Sequence, residues 1–420
     1  MAAAITNNPE AAAAINITDT RLDRQPSISH LSSIPEPYQE KVESIAPATG
    51  FQAVMLSEKA DGSYRLSGPP DEFTLEFSPA LSVRRLEQAL ASVIEHHTPL
   101  RTLLIYEDST IYQVVLKADE VSNVTDWRHT TMLPSFRLEQ QGEMCTALHL
   151  KIHHAFYDAI SFKLMLSDLN AAYQREPLSD GPRFDDWANY LGSLDNTRTE
   201  KFWLDYLSGS ASMTRLTIPS TEPSTGDNST ARRLSSFSIP SENLARYPGT
   251  SATILKAAWA MVLSRASHNA EDVLFAEITA NRNLNIIGIE EARGPCLNLL
   301  PVRAHVQNAS TMMTLASELQ TQAEAALPHH HIDCRTWLRE TGPSLGSVLL
   351  FQDYGHRKII GQLGGSDVQF KSESHVLQKA DVWIVAYRDE TQMVVDVDCS
   401  ASMSEQTAEW LTASLKRLLG

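Results

Sequence analysis

The chain has 420 residues, of which 42% are hydrophobic and 20% charged, and a formal net charge of −16. That acidity argues against a nucleic-acid binder, which needs clustered Lys and Arg to track phosphates. No apolar run is long enough to span a bilayer. The four cysteines, Cys145, Cys296, Cys334 and Cys399, lie far apart and form no CxxC pair. A disulfide framework or zinc knuckle is therefore not expected, and a reducing, cytoplasmic setting is. The start, MAAAITNNPEAAAAINITD, lacks the basic segment and apolar core of a signal peptide.

A chain of this length points to two lobes rather than one simple core. Residues 1–44, rich in Ala, Ser, Pro, Asn and Asp, read as a linker. Val83, Leu86, Leu90, Val93 and Ile94 recur at helical spacing up to His97, and Pro99 then stops the helix. LRTLLIY and TIYQVVL flank a polar EDS turn and predict a hairpin. MCTALHLKI reads as a strand that runs into HHAFYD, after which Ile160, Leu164, Met165, Leu169 and Ala172 fit a helix. The polar stretch 219–233 is the expected boundary between a lobe over 45–218 and a second over 234–420. In the second lobe SATILKAAWAMVLSRAS predicts a helix, and EDVLFAEIT, SVLLF, DVWIVAY and MVVDVDC predict strands. SEQTAEWLTASLKRLL predicts a closing helix with Ser404 as its N-cap. Helices and strands mix in both halves, so the fold class is α+β.

The chemistry centres on His153-His154-Ala155-Phe156-Tyr157-Asp158. A histidine at a strand-to-loop junction can point rigidly into a cleft and take a proton from a nucleophile there. An Asp four residues on, opening a helix, can brace the loop, and it can equally act as a plain N-cap. Paired histidines also suit a metal, but no third ligand at metal spacing is nearby, so no metal site is expected. His329-His330-His331 resembles a metal tract but metal binding is not expected there, and His96-His97 are read as helix C-terminal residues that complement the dipole.

These segments, taken together, resemble the condensation domains of nonribosomal peptide synthetases, and of the fungal members in particular. IAPATGFQAVML is similar to the family's opening motif, HHTPLRT to its second and KIHHAFYDAIS to its active-site motif. PRFDDWANYL, KFWLDYLSG, FAEITANRN and GPCLNLLPVR follow in the family's order, and SVLLFQDYG resembles its late strand crossing between lobes. The resemblance implies two chloramphenicol-acetyltransferase-like lobes forming a V around a central tunnel. It implies His154 as catalytic histidine with His153 supporting the loop. Asp158 would be structural, paired with Arg282 or with Arg303. Ala159, Ser161, Asn298 and Gln352 become candidates for the tunnel wall. The family usually has Gly where this chain has Ala159, and glycine leaves more room for a substrate arm.

The implied reaction joins two substrates tethered to peptidyl carrier domains, forming an amide or ester bond, in a domain acting as a monomer within a multidomain enzyme. No tightly bound cofactor is implied, because the phosphopantetheine arms belong to the carriers. Three alternatives stay open at this point. The chain could be a terminal, cyclising member; LKRLLG ends about where the fold should. It could be a coenzyme A-dependent acyltransferase sharing HxxxD, although the Asp-Phe-Gly-Trp-Gly motif of that family is missing. It could also be a non-catalytic docking module.

Overall fold

The computed structural model describes residues 15–17, 32–58, 64–118, 133–210, 212–216, 233–307, 310–342, 345–352, 361–373 and 380–420. In the N-terminal half, β1 (Val42–Pro47) leads into the short helix α1 (Gly50–Val54) and the hairpin β2 (Leu56–Glu58) and β3 (Tyr64–Leu66). β4 (Asp71–Ser82), α2 (Val83–His96), β5 (Thr102–Glu107), β6 (Thr110–Leu116), β7 (Ser135–Gln141) and β8 (Met144–Ile152) follow. Helices α3 (Ala159–Gln174), α4 (Phe184–Ser193) and α5 (Thr197–Leu207) complete the half.

The C-terminal half contains β9 (Arg233–Pro240), α6 (Ser241–Leu244), α7 (Ser251–Ala266), β10 (Asp272–Thr279), β11 (Asn298–His305), α8 (Met312–Ala326) and α9 (Cys334–Thr341). After these come β12 (Ser347–Gln352), β13 (Gln362–Leu363), β14 (Ser366–Glu373), β15 (Val382–Arg388), β16 (Gln392–Cys399) and α10 (Glu405–Leu419). The predicted helices and strands around the motif form where expected. Ser404 caps α10 by accepting from the Thr407 N–H.

Two large sheets carry the halves. One has the order β13-β14-β4-β8-β7, the other β11-β10-β12-β15-β16-β9. In the second, β10, β12 and β15 run parallel. Their apolar runs (VLFA, SVLLF and VWIVA) suit strands covered on both faces. Helix α7 packs with this sheet in one apolar core and is buried almost all round, including Trp259, Leu255 and Leu263.

A second large core cluster is continuous between the halves: Phe73, Leu75 and Leu150 of the first sheet share it with Leu274, Ala276, Val348 and Trp337 of the second half.

Three expectations need correction. The segment SVLLF does not cross between halves: β12 lies inside the C-terminal sheet between β10 and β15. The crossing strand is β14, which pairs with β4 from Asp367–Ser78 to Glu373–Glu72. The linker does not extend to residue 44, because β1 starts at Val42 and Ile34 is already buried. Within the expected lobe boundary, residues 219–232 lie outside the described residues, and Arg233 already belongs to β9.

Candidate active site

Strand β8 delivers the two histidines at its end and α3 begins at Ala159, so the motif is a short connection held at both ends. The two imidazoles have different partners. His153 is buried; its Nε2–H donates to the Ser67 carbonyl at 2.9 Å, and its Nδ1 accepts from the Ala155 N–H at 3.1 Å. Both ring nitrogens are therefore occupied by backbone. Burial holds this imidazole below the usual histidine range, so it stays neutral.

His154 is partly exposed, and its Nδ1 lies 3.0 Å from the Tyr157 carbonyl. A carbonyl only accepts, so Nδ1 carries the proton and Nε2 presents a lone pair. Among the described residues Nε2 has no hydrogen-bond partner. The ring stacks on Tyr157 with centroids 4.7 Å apart and planes 13° from parallel, and Phe51 meets its edge at 6.2 Å. Tyr157 is anchored in turn: its hydroxyl donates to Asp71 at 2.5 Å, and burial and that carboxylate push its phenol well above the usual range.

The opening motif holds the loop from behind. Thr49 caps α1, and the fully buried Gln52 closes the capping box. The Gln52 amide then donates to the Ala155 carbonyl at 3.1 Å and to Gln113 at 3.2 Å.

Asp158 caps α3, accepting the Ser161 N–H at 2.7 Å. The same carboxylate takes Arg282 at 2.8 Å and the Cys296 N–H at 3.1 Å, both from the C-terminal half. Arg282 also donates to the carbonyls of Ile289, Ala292 and Gly294. Gly294 is required by contact, since an added Cβ would lie 2.3 Å from the Phe184 ring. Arg303, the other expected partner, pairs with Asp272 at 2.8 Å instead.

The four expected wall residues differ in availability. Ala159 opens α3 and is half-buried. Gln352 is half-buried at the end of β12, and the rest of its motif, 353–355, lies outside the described residues. Ser161 is buried, with its hydroxyl accepting from the Asp158 N–H. Asn298 is buried too; its amide donates to the carbonyls of His330 and Ile332. Those two side chains have their polar atoms turned into the protein. A small cavity of about 10 Å³ touches this loop from behind, between Phe156, Phe162, Met165, His97 and Arg293.

His97 also departs from expectation. It is not at an exposed helix end: its Nε2–H donates to buried Asp168 at 2.7 Å. His329 stacks on Phe202 at 4.3 Å and contacts the Thr199 hydroxyl, so that tract packs against α5. Among the described residues no three His, Cys, Asp or Glu side chains gather as a metal cluster, and no helix is long and apolar enough to cross a membrane.

Phe51, Ser67, Asp71 and the Tyr157 carbonyl were missing from the sequence reading. Only Tyr157 had a signal: it stands three residues after His154, within reach of a tight-turn hydrogen bond. Asp71, at the head of β4, had none.

The family profile described as Condensation domain matches residues 132–419. The nonribosomal peptide synthetase valB of Aspergillus terreus is 31% identical over 94% of this chain, and the chain spans 16% of that protein's length. The condensation domain of the Monacolin K polyketide synthase MokA superposes with a TM-score of 0.69 at 16% identity, covering 90% of this chain and 97% of that one. The teicoplanin-biosynthesis X-domain, solved in complex with OxyB, gives 0.69 at 18% identity, covering 94% and 95%. The shared fold is the two-lobed chloramphenicol-acetyltransferase-like arrangement. Taken with the profile match and the valB identity, it follows that the chain belongs to the condensation-domain family.

Proposed function

We propose that this chain catalyses acyl transfer between two carrier-tethered substrates of a nonribosomal peptide assembly line. The observation that carries the reading is the fixed tautomer of His154, with Nε2 unprotonated and unpartnered at a partly exposed position. An acceptor amine held against Nε2 attacks the donor thioester carbonyl. The amine proton passes to Nε2, the carbonyl re-forms, and the carrier's phosphopantetheine thiolate leaves and recovers that proton. An amide, or with a hydroxyl acceptor an ester, results and His154 is regenerated. Asp158 and Arg282 hold the loop and do not touch the reacting atoms. Much of the rate then comes from placing two tethered ends together.

An intramolecular attack by a peptide's own amine uses the same base, so cyclising release is a variant of this chemistry. The resemblance to an X-domain that binds OxyB favours a second reading, a docking module without turnover. One experiment separates the two. A carrier loaded with a donor is mixed with an acceptor-loaded carrier and the protein, and new amide is followed by mass spectrometry. Turnover that falls by roughly two to four orders of magnitude in folded His154→Ala, the range of general acid-base groups, supports catalysis. Equal product from that variant refutes it, and no product from the parent with tight carrier binding favours docking.

A further inference from the structure

The connection between β10 and β11, residues 280–297, is long for a compact domain and has little secondary structure of its own beyond a 3-10 turn at Ile289–Glu291. It nevertheless holds the site. Arg282 and the Cys296 N–H both reach Asp158. On its other side Arg293 enters the N-terminal half, donating to the Gly181 and Ser179 carbonyls and lying 3.7 Å from Asp168.

The outer face of this loop is covered by three residues from the start of the chain. Ile15 forms a parallel bridge with Ile286: its N–H donates to the Asn285 carbonyl at 2.9 Å, and its carbonyl accepts from the Ile287 N–H at 3.0 Å. Ile17 is 3% exposed and sits in one apolar cluster with Phe184 and Trp187 of α4 and with Ile286, Ile289, Ala292 and Cys296 of the loop. A segment that reads as linker by composition therefore seals a seam between the halves.

We propose that Ile15–Ile17 is a strap that clamps the 280–297 loop against α4, making Ile17 a positioning residue for the His154 loop through Arg282 and Asp158. The groove takes an extended peptide by one strand-like register and one apolar side chain, and its occupant is this chain's own N-terminal segment. Without the strap, Ile286, Ile289 and Trp187 face water, and the loop opens more often by local unfolding. Each opening takes the Cys296 N–H and the Arg282 guanidinium away from the Asp158 carboxylate together. The effect on turnover rests on the acyl-transfer reading, whereas the effect on loop opening does not.

The test is amide hydrogen exchange on the full chain carrying Ile17→Ser, Ile17→Val or Ile15→Pro. Ile17→Ser loses a buried apolar side chain, and Ile15→Pro loses the N–H given to Asn285. Both should speed exchange at Ile287 and Cys296 by about tenfold or more, with β16 unaffected. Ile17→Val should speed exchange less than Ile17→Ser, since it keeps most of the buried side chain. In the carrier assay Ile17→Ser should lower kcat with little change in KM and with the pH profile unmoved. Unchanged exchange in both disruptive variants would overturn the strap. Faster exchange with unchanged kcat would overturn the positioning role. A parent without turnover would count against the acyl-transfer reading alone, and exchange would still decide whether the strap exists.

Discussion

Replacing Arg282 by methionine removes the charge from the brace but keeps most of its length. The Asp158 side chain is 1% exposed and that of Arg282 5%, so water cannot replace the lost partner. The variant leaves Asp158 with the Ser161 and Cys296 N–H groups, and it leaves the carbonyls of Ile289, Ala292 and Gly294 without the guanidinium. Breaking one side of a buried pair costs roughly 3–5 kcal/mol. Unfolding entropy of about 2.1 cal/mol/K per residue gives a chain of this length about 0.9 kcal/mol per kelvin. The expected fall in melting temperature is thus roughly 3–6 °C if the chain unfolds as one unit. The double variant Arg282→Met/Asp158→Asn removes the stranded charge and should recover part of that loss, a non-additivity expected of residues in direct contact. Thermal unfolding followed by near-UV circular dichroism reads both. An Arg282→Met protein melting within about 1 °C of the parent would refute the claim that this pair holds the halves together.

Ala159→Gly should keep the fold at a cost of about 1 kcal/mol or less and raise turnover with bulky tethered acyl groups. Ala159→Trp should abolish turnover with those groups, and normal rates in the carrier assay would show that this position does not face a substrate arm. Stability should also fall with acid. Burial lowers His153, and lowers His330 to about 4. An unfolded histidine, with a pKa of about 6.5, therefore binds protons that the folded one refuses, and stability drops progressively as pH falls from about 6.5 toward 4. Between pH 7 and 5 the melting temperature of His330→Gln should fall less than that of the parent; an identical fall would remove His330 from the account.

Local pattern made most elements legible, because amphipathic spacing in α2 and apolar runs in β10, β12 and β15 encode burial directly. The Asp158–Arg282 pair was not legible that way. The two residues stand 124 positions apart, and only the family resemblance joined them. β14 was missed because its alternation is shallow, with half-buried Val368 and Phe370 alternating with exposed Asp367, Gln369 and Lys371, and its partner strand lies almost three hundred residues upstream. His97 was misread because a histidine after a helix looks the same in sequence whether it meets water or, as here, a buried aspartate from another helix. Ile17 was hidden in a segment whose composition is that of a linker, and two isoleucines carry no periodicity.

The pairing of β14 with β4 makes the halves obligate partners in folding. β4 sits between β14 and β8, so a polypeptide ending in the 219–233 region presents β4 with an open edge along Glu72–Ser78. Such an edge recruits other strands and favours aggregation. The same edge in a second copy accepts the same strand, so reciprocal exchange of β14 between two molecules preserves every ladder hydrogen bond while producing the wrong assembly. Strand exchange between copies is therefore the misfolding route this topology invites at high concentration.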